Sequence, residues 1–424
     1  MKYILKLNAG KSNYRWRILG LLFFATTINY IDRQVIGILK PFIAEDLSWS
    51  EADYGYIVTA FQIAYAIGLL TTGRLLDRYG VRIGYLWAIV VWSLAGMAHA
   101  AARGVVSFAA ARFTLGIGES ANFPAAVKSV AEWFPKKERA FATGLFNSGS
   151  TVGAILAPVI VSGITITMGW RWAFVITGAL GLIWVAFWLA YYHSPEKHPK
   201  LSKTEYKHIV QDGEETNTGK ALNWNKLFKH KETVVICVTR FISDWVWWFF
   251  LFWVPDFLNK THGVNIKEVV LPLIVIYAVS SVGGIGGGWI SSSFINKGKS
   301  IGFARKTTIL ICALAVLPVM LVSEVDNLWL TIGLIALATA GHQGWASNIF
   351  TLVSDIYPKN AVGSMTGLSG FVGAIGGAIS ASFVGFLLEK TGSYFLIFMI
   401  AASVYLVNWL LITIIIKEVK PIKI

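Results

Sequence analysis

Seven ionisable residues stand inside long apolar stretches of this 424-residue sequence: Asp32, Arg33, Arg112, Glu119, Lys128, Arg240 and Asp244. A charged side chain at that depth in hydrocarbon costs about 2.5–3.5 kcal/mol on insertion scales, so each one calls for a reason. Carboxylates held beside guanidinium groups in a dry interior can exchange protons and bind anions. Neither a nucleophile–base pair nor a metal-ligand cluster accompanies them, so no enzyme activity and no cofactor are expected.

Arg112 and Glu119 are seven residues apart, which on a helix is two turns. Both side chains therefore face the same way, roughly 10 Å apart along the axis. A carboxylate balanced between burial and a guanidinium can gain or lose a proton as access alternates, as a proton-coupled carrier requires. A static ion pair that fixes helix packing is the alternative reading. Asp32 and Arg33 are neighbours and diverge by about 100° on a helix, so they do not serve as each other's main partner. The expected arrangement pairs Asp32 with Arg112 and leaves Arg33 free to present its fork to a substrate carboxylate. A neutralised structural charge is the other reading of Arg33. Lys128 is expected to snorkel to the headgroups.

Arg240 and Asp244, at i and i+4, are close enough to neutralise each other. The stretch from Gly341 to Asn348 puts His342, Gln343, Trp345 and Asn348 at the midpoint of an otherwise apolar segment. Trp345 and Asn348 are i, i+3, so a ring for stacking on a sugar and an amide for its hydroxyls share a face. His342 is either a site residue or a packing hydrogen-bond donor. Gly144, Gly149 and Gly153 with Asn147, Ser148 and Ser150 suit close helix approach and rocking, and Asn147 is counted with the substrate-binding residues.

The elements that carry these residues must be membrane spans. Hydrophobic residues make up 55% of the chain and charged ones 14%, and the mean hydropathy is +0.60. A span takes about 20 residues. Twelve stretches qualify, at about 18–40, 51–74, 83–103, 106–130, 140–166, 171–192, 232–258, 268–293, 305–323, 328–354, 361–388 and 393–416. With both termini cytoplasmic, 27 of the 37 Lys and Arg fall on the inner side, and six (Lys40, Arg103, Arg171, Lys260, Lys267 and Lys390) on the outer. That positive-inside bias explains the net charge of +14 through an anionic leaflet, with no nucleic-acid partner. The first stretch reads as a retained span, since it is too long for a signal-peptide core and lacks a small-residue cleavage site. Both cysteines, Cys237 and Cys312, fall inside spans, which speaks against a disulfide framework.

The polar segment 194–231 divides the chain into six-span bundles, 1–193 and 232–424. FPKKERAFATGL from Phe134 aligns without a gap with YPKNAVGSMTGL from Tyr357, at an offset of 223. At that offset His342 aligns with Glu119. Parallel six-span repeats of this kind build major facilitator transporters, with the site at midplane between the halves. The stretch Gly73 to Arg82 resembles the major facilitator loop signature, with Gly73, Asp77, Arg78 and Gly80 in place. Its glycines permit a tight turn, and Asp77 can accept hydrogen bonds from a helix terminus or pair with an Arg. The matching loop from Gly288 to Gly298 lacks the Asp-Arg pair, so a weaker or absent latch is expected there.

NYIDR in the first span, RFTLGIGESANFPAA from Arg112, and EWFPKKERA resemble the anion:cation symporter family of major facilitators. The stretches WWFFLFWVPDFL, LPLIVIYAVSSVGGIGGGWISS and GHQGWASNIFTLVSD are similar to those of bacterial hexuronate transporters. The resemblance implies an all-α membrane protein of twelve spans in two pseudo-symmetric six-helix bundles. It implies sugar-acid contacts from Tyr30, Arg33, Tyr65 and Trp345, and proton coupling by Asp32, Arg112 and Glu119. Eukaryotic members place an Arg near the position of Ser243 or Asp244. This chain does not, so no anion contact from that helix is implied. The resulting expectation is a monomeric carrier in a bacterial inner membrane that imports a hexuronate (galacturonate or glucuronate) with protons. Carriage of galactonate or glucarate, proton-driven efflux and a membrane sensor are the rival readings.

Overall fold

The structure, a computed structural model, describes residues 13–213, 224–264 and 270–422. The N-terminal lysines, Lys220, Lys267 and Lys423, all counted in the charge asymmetry, lie outside the described residues. Among the described residues every regular element is helical. The first six spans are α1 (Tyr14–Leu47), α2 (Glu51–Tyr79), α3 (Val81–Ala98), the consecutive α4 (Val105–Glu119) and α5 (Asn122–Trp133), α6 (Lys136–Met168) and α7 (Trp170–Tyr191). The connecting segment carries α8 (Lys203–Ile209) and α9 (Trp224–Leu227). The second six are α10 (Lys231–His262), α11 (Val270–Asn296), α12 (Ile301–Val316) with the 3-10 segment Leu317–Glu324, α13 (Leu328–Ile356), α14 (Val362–Thr391) and α15 (Phe395–Ile415).

Nine of these helices are long and apolar enough by themselves to cross a membrane. The remaining three spans are α1, α4 with α5, and α13, which hold Asp32 and Arg33, Arg112 and Glu119, and the 341–348 polar stretch. Polarity is the reason α1 and α13 fall short, while the fourth span is broken into helices of 15 and 12 residues, and their place among apolar neighbours is what lets them cross. The fourth span breaks immediately after Glu119. Pro124 has no N–H to give to the Ser120 carbonyl, so the ladder is interrupted there, and the Ala121 N–H bonds the Gly118 carbonyl at 3.3 Å instead.

Within the first half α1 packs on α6, α2 on α4 and α3 on α7; within the second, α10 packs on α14 and α11 on α13. The halves meet where α6 crosses α11 and where α2 crosses α14. These two crossings are related by the internal repeat. A Cβ on Gly144 would overlap the Gly284 carbonyl, and one on Gly367 the Leu69 carbonyl. Likewise Gly288 lies against the Ala140 carbonyl and Gly73 against that of Gly363. The α6 and α14 positions differ by 223 and those of α2 and α11 by 215, so the second half holds eight residues more between Gly288 of α11 and Arg305 of α12 than the first holds between Gly73 and Arg82. Small residues bring backbones together because side-chain burial drives nothing in lipid and close packing has to serve instead.

Candidate transport site

Arg33 stands at the middle of the first half's polar cluster. Its Nε donates to Glu119 Oε2 at 2.9 Å, and its Nη2 to Asn29 Oδ1 at 3.4 Å. Three aromatic rings surround the guanidinium, those of Tyr30 at 4.9 Å, Phe61 at 5.3 Å and Tyr65 at 4.7 Å from its carbon. Glu119 is fully buried while the Arg33 side chain keeps 23% exposure. The site thus has a hidden acid and an accessible base. The helix break after Glu119 lets α4 end at the depth where that carboxylate meets α1.

Partner choice differs from the expectation. Asp32 makes no ion pair with Arg112: both its oxygens are buried without a hydrogen-bond partner, beside Thr177 of α7. Arg112 donates through Nη2 to the Arg33 backbone carbonyl at 3.1 Å and lies over Phe61, while its Nε and Nη1 have no partner. Nor is Arg33 free, since Glu119 holds it. The physical reason is the rotation of α1: the face meeting α4 carries Arg33, and Asp32, about 100° round the helix, turns into the bundle. Phe61 and Asn29 belong to the cluster and were not singled out from sequence, because an apolar ring or an amide on a membrane helix carries no distinguishing signal.

In the second half Arg240 and Asp244 pair with each other at 2.8 Å, as their spacing implies. Arg240 also lies over the Phe350 ring at 4.7 Å, and Phe350 stacks at 5.5 Å on Phe123 of the first half. His342 bonds the Tyr405 hydroxyl at 2.6 Å and stacks on Trp247 at 4.9 Å. Trp345 and Asn348 do not line a shared sugar-binding face in this conformation. Trp345 packs on Tyr405 and His342, and Asn348 donates to the Gly287 and Gly344 carbonyls. Both are fully buried, because the glycine contacts of Gly344 with Gly283 and Gly287 press α11 onto that side of α13. The residue of this stretch that reaches across is Gln343, whose Oε1 accepts from Asn147 Nδ2 at 2.8 Å.

Below that bond the linker-side ends of the halves are tied together. Asp77 accepts from the Gly363 N–H at 3.1 Å and the Ser364 N–H at 2.6 Å, so it caps α14. Lys128, expected at the headgroups, instead donates to Asp77 at 2.5 Å and to the Lys359 carbonyl at 2.8 Å. Burial against α14 shuts off its route to the surface. Gly73 gives the close approach and Gly80, at φ +81°, the turn into α3. Arg78 is exposed over Tyr79 and takes no part in the tie.

The second half has a latch of its own, contrary to expectation. Arg305 donates to Asp355 at 2.9 Å, to Ser291 Oγ at 2.6 Å and to the Lys136 carbonyl at 2.8 Å. From the other half, Arg139 donates to the Ser354 carbonyl at 2.7 Å. Arg305 and Asp355 stand at the 223 offset from Arg82 and Glu132, so the repeat could have found them. Arg305 replaces a carboxylate cap by a guanidinium, which reaches the carbonyl of the facing helix instead of its N–H groups. The two ties hold the halves together on the linker side.

The model of the Major Facilitator Superfamily matches residues 22–381. The chain is 30% identical over 382 residues to the hexuronate transporter of Escherichia coli K12, covering 89% of this chain and 88% of the relative. It is 31% identical over 399 residues to the D-galactonate transporter of Escherichia coli O6:H1, covering 91% and 92%. It is 29% identical over 404 residues to a probable galactarate/D-glucarate transporter of Bacillus subtilis, covering 91% and 88%. Among solved structures, the fold is similar to that of the proton:xylose symporter XylE, with a TM-score of 0.76, 16% identity and 97% of each chain covered.

Proposed function

Since the chain belongs to the Major Facilitator Superfamily, we propose that it takes up a sugar-acid anion with protons by alternating access, a hexuronate being the first candidate. It is a multi-pass membrane transporter and not an enzyme, like the proteins it resembles. The membrane assigned to it is the bacterial inner membrane, with both termini on the cytoplasmic side.

The observation that carries the reading is the Arg33–Glu119 pair, one member buried and the other accessible. A sugar-acid carboxylate and Glu119 compete for the same guanidinium. When Glu119 takes a proton, its hold on Arg33 weakens, and the guanidinium turns its donors to the anion. Proton and anion then load together, without either pathway needing a separate gate. Asp32, buried without an ion-pair partner and with only the Thr177 hydroxyl beside it, is costly as an anion and is the second proton carrier in this reading. Arg112 holds α1 at the right depth through the Arg33 carbonyl. Tyr30 and Tyr65 face the sugar from the aromatic box. Asn147 and Gln343 close beneath it, and their bond must part when the halves rock. His342, Trp345 and Asn348 support that floor from within the second half and join the cargo only if α13 moves.

Right-side-out vesicles containing the protein, given labelled galacturonate with and without a protonophore, test this directly. Protonophore-sensitive accumulation is the expected result, with unlabelled glucuronate, galactonate and glucarate ranked by competition. Accumulation that ignores the protonophore, or no uptake of any of the four, sinks the reading.

A further inference from the structure

At the linker-side end of the first half, α1 and α7 run antiparallel and form a lipid-facing cleft of about 340 Å³. Four residues line it, Arg17 and Leu21 from α1 and Phe187 and Tyr191 from α7. Each pair is i, i+4, so each helix presents one face to the cleft. Because the helices are antiparallel, Arg17 and Tyr191 lie together near the helix ends, and Leu21 and Phe187 lie together one turn deeper. The cleft is therefore polar and cationic at the surface and apolar below.

Among the described residues Arg17 has no acid to serve. Its neighbour Arg15 is held by Glu138 at 2.9 Å and Glu205 at 3.2 Å, whereas Arg17 is exposed, makes no ion pair, and rests over the Tyr14 ring at 4.8 Å. Phe187 is 52% exposed and Tyr191 39%. An uncompensated guanidinium at the headgroup level, a phenol beside it and two apolar side chains beneath match one ligand chemistry: a phosphate with an acyl chain attached.

We propose that the α1–α7 cleft is a binding site for an anionic phospholipid, its phosphate on Arg17 and Tyr191 and its acyl chain on Leu21 and Phe187. The bound lipid braces α1, the helix that carries Asp32 and Arg33, against α7. The site is independent of the cargo and of proton coupling.

The test uses the full chain in detergent, with phosphatidylglycerol, phosphatidylcholine or inorganic phosphate added, read by native mass spectrometry for bound lipid and by thermal unfolding. Phosphatidylglycerol should bind and raise the unfolding temperature more than phosphatidylcholine does, and inorganic phosphate should do neither. Arg17→Gln should weaken phosphatidylglycerol binding about fivefold, the factor for one lost surface arginine contact. Arg17→Lys should retain most of it, and Arg171→Gln, at the other end of α7, should leave it unchanged. Equal effects of the two lipids, or an Arg17→Gln protein that binds phosphatidylglycerol as the parent does, overturn the proposal. A response to inorganic phosphate alone also overturns it, since the acyl chain would then contribute nothing. If Arg17→Gln folds poorly, Phe187→Ser probes the acyl end and should lose binding without loss of charge.

Discussion

Arg33 of α1 and Glu119 of α4 are joined by a single hydrogen bond of 2.9 Å, through Nε, across the first half of the molecule. The other donors of the guanidinium meet neutral oxygens, Asn29 Oδ1 at 3.4 Å and the Tyr65 hydroxyl. A carboxylate that binds one edge of an arginine leaves another edge for a second carboxylate. That relationship generates the first two predictions.

Glu119→Gln removes the proton carrier and keeps an acceptor for Arg33. Counterflow exchange of labelled cargo should persist, while accumulation driven by a proton gradient should fall by about tenfold or more. Accumulation by the variant equal to that of the parent protein would remove Glu119 from the coupling.

Arg33→Lys keeps the charge and loses the planar fork, and a lysine makes a point contact where a guanidinium makes two parallel bonds. The apparent KM for the anion should rise about tenfold or more, corresponding to about 1.4 kcal/mol or more of lost contact. An unchanged KM would mean that Arg33 serves only to neutralise Glu119.

Asp77→Asn takes from buried Lys128 the carboxylate it bonds, leaving it Glu132 one turn along α5 without a direct bond, and weakens the cap on α14. Leaving one member of a buried pair uncompensated costs of order 3 kcal/mol, and here the cost falls on the state sealed at the linker side. Cysteines placed near Asn147 should then become more reactive to a reagent applied from the linker side. No change in their reactivity would show that Asp77 is not part of the latch.

Gly144→Leu acts on the same state by a different route. A side chain there meets the Gly284 carbonyl, and the repeat-related Gly367 meets that of Leu69, so neither crossing tolerates bulk. The sealed state should be lost and transport with it, while Gly163→Leu, where nothing lies within 4 Å, should transport normally.

The linker supplies a pH prediction. His198 accepts from the Lys200 N–H at 3.2 Å, bonds the Tyr191 carbonyl at 3.2 Å and lies 4.4 Å from the Tyr14 ring. Burial holds its pKa below the ordinary histidine value. In the pH range between the folded and unfolded values the unfolded chain binds the proton and the folded one does not, so this contribution is complete above about pH 6.5. It is lost as the pH falls below that value. His198→Gln should flatten the acid side of a plot of unfolding temperature against pH. An identical acid limb in parent and variant would count against the assignment.

The sequence by itself determined the relations that are local or repeated. The sidedness of Lys and Arg, the polar stretches on α1, α4 and α13, and the Arg240–Asp244 pair all follow from spacing along a helix or from charge counted along the chain. The 223 offset also holds the positions of Arg305 and Asp355, although a pattern defined by its carboxylate hides a latch built on arginine. Tertiary structure alone decided the partners: Glu119 rather than Asp32 beside a guanidinium, Lys128 on Asp77, Gln343 rather than Trp345 facing Asn147. Helical periodicity fixes the angle between two side chains on one helix. It says nothing of how far that helix is rotated or raised against its neighbour, and contacts between carbonyls and glycines far apart in the chain set both.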